Sequence, residues 1–211
     1  MSGSAGAPGA PGAPGALLVI ISGPSGVGKD TIIDAMRALP DGRDYRYVVT
    51  CTTRPPRPGE VDGTSYIFLD RDRFAALRDA GELLEWAEVH GNWYGTPRDQ
   101  VREALAAGRH AILKIDVQGA QKVKSLVPDA LLVFVIPPTL EELFARLRSR
   151  ATESADALEL RQRNAAIELA RQEDYDHVVV NETGQVEATA RRIHDIIAAE
   201  ATANPGRRIH V

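Results

Sequence analysis

An apolar run that breaks into a glycine-rich loop constrains this chain more than any other stretch. Residues 17–21 are consecutive and apolar, which is typical of a strand buried on both faces of a parallel sheet. Gly23, Gly26 and Gly28 follow, and apolar residues recur with helical spacing after Lys29. Glycines let a backbone turn around an anion with its N–H groups pointing inward, and a helix N-terminus adds positive potential. The stretch therefore predicts a strand, a phosphate cradle and a helix in succession.

The cradle matches the pattern G-x-x-x-x-G-K in the strand, loop and helix context that this motif requires. One position differs from the motif, because Asp30 follows the lysine and the hydroxyl residue, Thr31, comes one place later. A glycine-rich turn with a chance lysine is the alternative, and the flanking strand and helix make it the weaker one. The residues predicted to surround the phosphate are Gly23, Pro24, Ser25, Gly26, Val27, Gly28, Lys29, Asp30 and Thr31.

The length and net charge of the whole chain limit the classes of protein to which it can belong. Its 211 residues suit one α/β domain with a small inserted subdomain. The net charge of -4 argues against a general nucleic-acid binder, so anionic ligands must be met by local basic clusters. The single cysteine, Cys51, excludes an internal disulfide framework and fits a reducing cytoplasm. No apolar run approaches the roughly 20 residues that span a bilayer.

The ends of the chain differ from its middle. Residues 1–15 repeat Ala-Pro-Gly without a charged side chain, so they cannot bury enough surface to offset the cost of ordering. We predict that residues 1–15 form a disordered tail without a catalytic role. Residues 16–202 are expected to form the folded domain, and residues 203–211 a C-terminal tail.

A proline-rich loop over residues 50–66 carries the second candidate phosphate site. Its prolines and glycines exclude regular structure, so Arg54 and Arg57 are held on a stiff backbone. A planar guanidinium can contact two phosphate oxygens at once. A solvated loop with surface arginines is the alternative. Cys51 is expected to pack rather than to act as a nucleophile, because no base adjoins it in the sequence.

The residues after this loop predict a small antiparallel insert rather than further βαβ units. Residues 66–69 predict a short strand, residues 70–80 a helix, and residues 83–95 two strands with a tight turn. Thr96 and Pro97 predict the start of the next helix, with threonine as its cap and proline at its first position.

Two later features suggest catalytic groups. A buried strand over residues 110–116 ends in Asp116, and in a phosphate-loop enzyme such an aspartate lies near the metal and the phosphates. Its alternative is a cap for a helix over residues 119–126. Arginines also flank one exposed turn: Arg146, Arg148, Arg150, Arg161 and Arg163. A solvated helix face and a mobile phosphate-clamping lid are both open interpretations of that cluster.

These stretches together resemble guanylate kinases over nearly all of residues 17–199. The most specific segment is the proline-rich loop, T-T-R-P-P-R-P-G-E followed by D-G and Tyr66, which is similar to the nucleoside-monophosphate loop of that family. The resemblance implies a P-loop mononucleotide-kinase α/β fold, with helices on both faces of a parallel-sheet core. The implied parts are an ATP-holding core (residues 16–49 and 97–202), a small antiparallel GMP-binding insert (residues 50–96) and a helical lid (residues 146–163).

The resemblance also implies roles for individual residues in binding GMP. Glu85 is expected to accept hydrogen bonds from the guanine N1–H and 2-amino group, and adenine, which lacks that donor pair, would leave it poorly paired. A half-exposed strand residue is the alternative for Glu85. Thr50 and Thr96 stand where the family has serines that contact the base. The whole implied set is Thr50, Arg54, Arg57, Glu60, Tyr66, Glu85, Tyr94, Thr96 and Asp116.

The implied reaction is the Mg²⁺-dependent transfer of the γ-phosphoryl group from ATP to GMP or dGMP. It needs alignment and charge neutralisation rather than a general base, because the acceptor is already an anionic phosphate. The implied catalytic residues are Lys29, Arg57, Asp116, Arg146, Arg150 and Arg161. Asn181 matches a family position near the adenine of ATP. Asp30 replaces the usual hydroxyl ligand of Mg²⁺, and we expect its carboxylate to contact the ion directly or through water.

Two other functions stay open on the sequence. A ribose 1,5-bisphosphokinase tends to carry aspartate after the same lysine, but it lacks the two-arginine loop and the guanine-reading carboxylate. A non-catalytic guanylate-kinase-like interaction module would have lost its nucleotide sites, and the intact phosphate loop argues against it. The expected partners are therefore ATP and GMP or dGMP, with no nucleic acid and no membrane. The protein is expected to be a cytoplasmic monomer or homodimer.

Overall fold

A computed structural model of the chain describes residues 15–89, 91–149 and 155–211. The predicted N-terminal tail, apart from Gly15, and the predicted lid residue Arg150 lie outside the described residues. The strands and helices are, in chain order, β1 (Leu18–Ser22), α1 (Lys29–Ala38), β2 (Tyr45–Tyr47), β3 (Cys51–Thr52), β4 (Ile67–Phe68), α2 (Arg71–Asp79), β5 (Leu83–Val89), β6 (Asn92–Pro97), α3 (Arg98–Ala106), β7 (His110–Lys114), α4 (Val117–Leu126), β8 (Leu131–Ile136), α5 (Leu140–Ser149), α6 (Ala155–Leu169), β9 (His177–Val180) and α7 (Val186–Ala203). None of the described helices has both the length and the apolar character that crossing a membrane requires.

Five parallel strands form the central sheet in the order β2-β7-β1-β8-β9. β1 lies in the middle, and all of its residues are buried. Because successive side chains of a strand point to opposite faces, Leu18 and Ile20 enter one core, while Val19 and Ile21 enter the other. Helices α3 and α4 cover the first core, and α1, α5 and α7 cover the second. The predicted parallel core with helices on both faces is confirmed.

A second, four-stranded sheet has the order β4-β3-β6-β5. It is antiparallel except for the β3–β4 pair, and residues 53–66 form a connection long enough to let these two strands run parallel. β3 lies inside residues 50–66, so the prediction of no regular structure there is wrong at Cys51 and Thr52. Phe74 of α2 packs with Cys51, Leu69 and Leu83 in a small core of its own. Cys51 is 1% exposed, and burial raises the pKa of its thiol to about 12. Its predicted packing role is therefore confirmed.

The predicted helix start at Thr96 and Pro97 is wrong. Both residues belong to β6, where Thr96 pairs with Glu85 and Pro97 with Leu83, and α3 begins only at Arg98. Proline is tolerated at the end of the strand because a missing N–H breaks no further ladder bond there. Strand pairing thus overrides the local capping pattern, and it leaves the Thr96 hydroxyl inside the protein.

The segment that the sequence predicts as a C-terminal tail packs back onto the central sheet. Ile209, which is 1% exposed, and Val211 belong to the same core as Leu18. The Nε of Arg102 donates to a backbone oxygen of Val211 at 2.9 Å. The segment after α7 is therefore part of the fold.

Replacing Ile209 with alanine tests this packing. We expect Ile209→Ala to lower the free energy of unfolding by about 2–4 kcal/mol, because it opens a cavity in a closed core. Leu126→Ala, at a position that is 60% exposed, is the control and should change it by less than about 0.5 kcal/mol. Urea denaturation measures both values. Equal effects of the two substitutions would contradict the packing of the terminal segment.

Candidate active site

The loop between β1 and α1 takes a shape that requires glycine at its bends. Gly23 has a φ of 146°, and a Cβ there would lie 2.2 Å from the carbonyl oxygen of Val135 in β8. Gly28 has a φ of 99°, and a Cβ there would lie 2.8 Å from the Nδ2 of Asn181, which follows β9. No L side chain fits such close approaches at positive φ. The loop is therefore seated closely against the ends of two neighbouring strands.

Lys29 begins α1 and folds back over the loop. Its ammonium donates to the carbonyls of Gly23 and Pro24, the latter at 3.0 Å. Burial lowers the pKa of Lys29, while Glu168 and the other nearby carboxylates oppose that shift. Charge-assisted hydrogen bonds to phosphate are stronger than bonds to neutral carbonyls. A bound phosphate would therefore displace these two carbonyls from the ammonium.

Two predicted site residues hold the loop from behind. Asn181 is 6% exposed, its Nδ2 donates to the carbonyl of Val27 at 2.8 Å, and its Oδ1 accepts from the hydroxyl of Thr189 at 3.1 Å. Arg146 of α5 donates to the same Val27 carbonyl at 3.3 Å and to the carbonyl of Asn181 at 3.2 Å. The resemblance implies a contact between Asn181 and adenine, whereas this geometry favours a supporting role, because both ends of the amide are engaged in the interior.

An ion pair shapes the proline-rich loop. Arg54 is 9% exposed, and its two terminal nitrogens meet the carboxylate oxygens of Glu60 at 2.9 and 2.8 Å. The same carboxylate accepts the backbone N–H of Arg57 at 2.7 Å, and the Arg54 guanidinium holds the pKa of Glu60 below its usual value. Arg54 and Glu60 therefore fix the loop, and the exposed Arg57 lines the neighbouring cavity.

Glu85 lies inside the second sheet, on β5. It is 6% exposed, and its Oε1 accepts the hydroxyl hydrogen of Thr96 at 2.7 Å. Burial raises the pKa of Glu85 to about 7, and the hydroxyl of Thr96 opposes that shift. A Cβ at Gly119 would lie 3.1 Å from the other carboxylate oxygen, so glycine makes room for it. The alternative of a half-exposed strand residue is excluded.

Asp116 is both a helix cap and a wall residue of the cavity. Its Oδ1 accepts the N–H groups of Gln118 and Gly119 at 2.7 and 2.9 Å, so α4 begins at Val117 rather than at residue 119. The capping role that the sequence leaves open is confirmed. Since the half-buried side chain also lines the cavity, capping does not remove it from the site.

One cavity of about 610 Å³ joins the two predicted sites. The predicted residues in its wall are Gly23, Ser25, Gly26, Lys29, Asp30, Thr50, Arg57, Tyr66, Glu85, Tyr94, Asp116 and Arg161. Five more predicted residues do not line the cavity themselves but form hydrogen bonds that hold its wall or the loop: Arg54, Glu60, Thr96, Arg146 and Asn181. Pro24, Val27, Gly28 and Thr31 complete the loop and the first turn of α1. The glycine-rich loop and the residues predicted to bind the acceptor thus face a common space.

Two charged residues of this wall belong to none of the sequence motifs. Glu168 of α6 accepts the backbone N–H of Ser25 at 3.2 Å, and burial raises its pKa. Lys114, the last residue of β7, forms an ion pair with Asp30. A glutamate in a helix carries no local signal. For Lys114 the available signal is its place in the strand predicted over residues 110–116, two residues before Asp116.

The fold is that of the mononucleotide-kinase class of P-loop proteins. Its defining features are the parallel sheet, the glycine-rich loop at the carboxyl end of the central strand, and the second sheet across the cavity. A guanylate kinase from Anaplasma phagocytophilum has a solved structure that matches with a TM-score of 0.75 at 33% identity, covering 94% of this chain and 92% of that one. A family model described as guanylate kinase matches residues 16–200. The chain belongs to the guanylate kinase family.

Curated relatives named guanylate kinase support the same family. A relative from Gloeobacter violaceus is 50% identical over 186 residues, which cover 87% of this chain and 89% of the relative. A relative from Streptococcus agalactiae serotype III is 47% identical over 184 residues, which cover 87% of each chain. A relative from Nocardia farcinica is 48% identical over 168 residues, which cover 78% of this chain and 86% of the relative.

The buried Glu85 generates a prediction about stability. Folding raises its pKa from 4.5 to about 7, so the folded state binds the proton more tightly than the unfolded state. The stability contributed by this group is present below pH 4.5 and is lost as the pH rises to about 7. Relative to wild type, Glu85→Gln should therefore gain on the order of 2 kcal/mol of unfolding free energy between pH 5 and pH 8.

Urea denaturation of both proteins at the two pH values measures this gain. Glu88→Gln, at an exposed position on the same strand, is the control and should change the unfolding free energy by less than about 0.5 kcal/mol. A constant difference between Glu85→Gln and wild type across this range would contradict a raised pKa.

Proposed function

We propose that the protein transfers the γ-phosphoryl group of ATP to GMP or dGMP, and that it does so in the cytoplasm with Mg²⁺ as cofactor. The observation that carries this proposal is the common cavity, in which the phosphate loop faces the buried carboxylate of Glu85. The family and the names of the relatives support it. The single buried cysteine is compatible with a reducing compartment.

The phosphate loop and Lys29 hold the donor phosphates in this proposal. The Lys29 ammonium exchanges the carbonyls of Gly23 and Pro24 for phosphate oxygens. Glu168 must also release the N–H of Ser25, because a carboxylate and a phosphate repel each other at one donor. ATP binding therefore rearranges contacts that the loop already makes with the protein.

The acceptor nucleotide lies across the cavity, against the second sheet. The ionised carboxylate of Glu85 accepts from the guanine N1–H and 2-amino group, and the hydroxyl of Thr96 orients it. The guanidinium of Arg57 and the hydroxyls of Tyr66 and Tyr94 contact the GMP phosphate, and all three residues line the cavity. Arg54 keeps the loop in shape through its ion pair with Glu60 and acts on the phosphate indirectly.

Phosphoryl transfer then depends on alignment and on neutralising the charge of the moving group. We assign this role to Lys29, Arg57 and the arginines of the proposed lid, namely Arg146, Arg150 and Arg161. Arg161 already lines the cavity, Arg146 contacts the back of the loop, and Arg150 lies outside the described residues. Asp116 orients the acceptor, and no group needs to remove a proton from an anionic phosphate.

The carboxylates of the cavity fit a magnesium ion that is held largely by its substrate. Within residues 15–89, 91–149 and 155–211, no three His, Cys, Asp or Glu side chains are grouped closely enough to hold a metal. Mg²⁺ keeps several waters and is bound through one or two carboxylates plus substrate phosphates. Asp30 and Asp116 would hold it here, and when bound it neutralises charge on the β- and γ-phosphate oxygens.

A panel of acceptors in an ATP-coupled assay tests the proposed function. We expect GMP and dGMP to be phosphorylated at least about 100-fold more efficiently than AMP, dUMP or ribose 1,5-bisphosphate, since only guanine supplies both donors to Glu85. Glu85→Gln should lower kcat/KM for GMP by about 100-fold, because its amide presents a donor to a donor. Glu88→Gln is the matched control and should retain activity.

Other outcomes of this panel would favour the alternatives. Preferred turnover of ribose 1,5-bisphosphate would indicate a ribose 1,5-bisphosphokinase. Retained GMP binding without any ATP turnover would indicate a non-catalytic module. The buried Glu85–Thr96 pair and the intact loop make both alternatives the weaker ones.

The proposed metal ligand Asp30 generates a separate prediction. Asp30→Asn should raise the Mg²⁺ concentration that gives half-maximal turnover by several-fold, because an amide binds a hard cation more weakly than a carboxylate. Asp34→Asn, one turn further along α1, is the control and should leave that concentration unchanged. Titrating Mg²⁺ at saturating ATP and GMP measures the effect. An unaltered Mg²⁺ dependence in Asp30→Asn would contradict the assignment.

A further inference from the structure

Lys114 stands between the two halves of the cavity. It ends β7, in register with Ile21 of β1, just before the phosphate loop. It lines the 610 Å³ cavity and also a second cavity of about 400 Å³ that shares part of the same wall. Its ammonium lies 5.0 Å from the centre of the Tyr66 ring, and the guanidinium of Arg54 lies 5.2 Å from that centre. Lys114 therefore belongs to the acceptor side, where the GMP phosphate is expected.

The ion pair of Lys114 with Asp30 does little for the stability of the fold. The side chain of Asp30 is 67% exposed, and such exposed pairs contribute little. Lys114 nevertheless places its ammonium in the wall of a ligand cavity. A cation in that position, beside a weakly stabilising partner, indicates a role toward the ligand.

The balance of charge in the cavity points the same way. Among the described wall residues, four side chains are cationic and four carry carboxyl groups: Lys29, Arg57, Lys114 and Arg161, against Asp30, Glu85, Asp116 and Glu168. ATP and GMP bring several negative charges into this nearly balanced space. Lys29 is assigned to the phosphates of the donor, ATP. A second cation is therefore needed at the central sheet to neutralise the phosphate of the acceptor, GMP.

We propose that Lys114 is a further catalytic residue, which contacts the GMP phosphate from the central sheet while Arg57 contacts it from the proline-rich loop. The inference rests on the proposed function, because that function places the acceptor phosphate at this end of the cavity. When GMP binds, the ammonium exchanges the carboxylate of Asp30 for a phosphate oxygen. The exchange frees Asp30 for the metal side of the site.

Calorimetric binding of GMP and of guanosine, without ATP or metal, tests this contact. Guanosine keeps the base and the ribose of GMP but lacks the phosphate. Lys114→Met should weaken GMP binding by about 10- to 100-fold and leave guanosine binding within about twofold, because the lost bond is a charge-assisted one. Lys114→Arg should retain most of the GMP affinity. Lys124→Met, which removes a lysine paired with Asp176 at 3.2 Å, is the control and should change neither affinity.

Repeating Lys114→Met in an Asp30→Asn background separates a phosphate contact from simple neutralisation of Asp30. We expect the same selective loss of GMP binding there. A loss that disappears in that background overturns the proposal, as does equal weakening of GMP and guanosine, or no weakening at all. A wild-type protein that binds GMP but phosphorylates none contradicts the proposed function instead, and one that binds no GMP contradicts both.

Discussion

The parallel register of β1 with β7 and β8 determines where the functional groups of this protein lie. Parallel strands present their carboxyl ends at the same edge of a sheet, and ligands bind in the crevice there. The phosphate loop follows β1, Lys114 ends β7 and Asp116 follows it two residues later, and Asn181 follows β9. A slip of one residue would exchange the side chains of the two cores. The packing of β1 therefore fixes the site as firmly as it fixes the fold.

The candidate site is arranged so that the groups proposed to bind nucleotides have partners within the chain. Lys29 donates to carbonyls of its own loop, the N–H of Ser25 donates to Glu168, and Lys114 pairs with Asp30. Each of these contacts joins one charged group to a partner that a phosphate or a cation can replace. These contacts pair the charges within the chain, so nucleotide binding would be an exchange of partners.

Some parts of the fold and of the candidate site can be predicted from local sequence, and others cannot. The phosphate loop and the proline-rich loop could be predicted because their functional residues are consecutive and chemically distinctive. The capping pattern at Thr96 is misleading because strand pairing with Glu85, eleven residues away in the chain, outweighs it. The places of Lys114 and Glu168 in the cavity wall could not be predicted, because their contacts form only where elements distant in the sequence meet. The packing of Ile209 likewise follows from the shape of a core that no local periodicity reveals.

The bond between the N–H of Gly15 and the carbonyl of Arg207 places the entry to β1 beside the segment that follows α7. β1 runs away from this junction for five residues, about 16 Å at 3.3 Å per residue, before it reaches the phosphate loop. A tag, fluorophore or fused domain attached at this junction would therefore lie at the opposite end of the strands from the candidate nucleotide site. The protein could therefore be immobilised on a surface through this junction without blocking access to the candidate site.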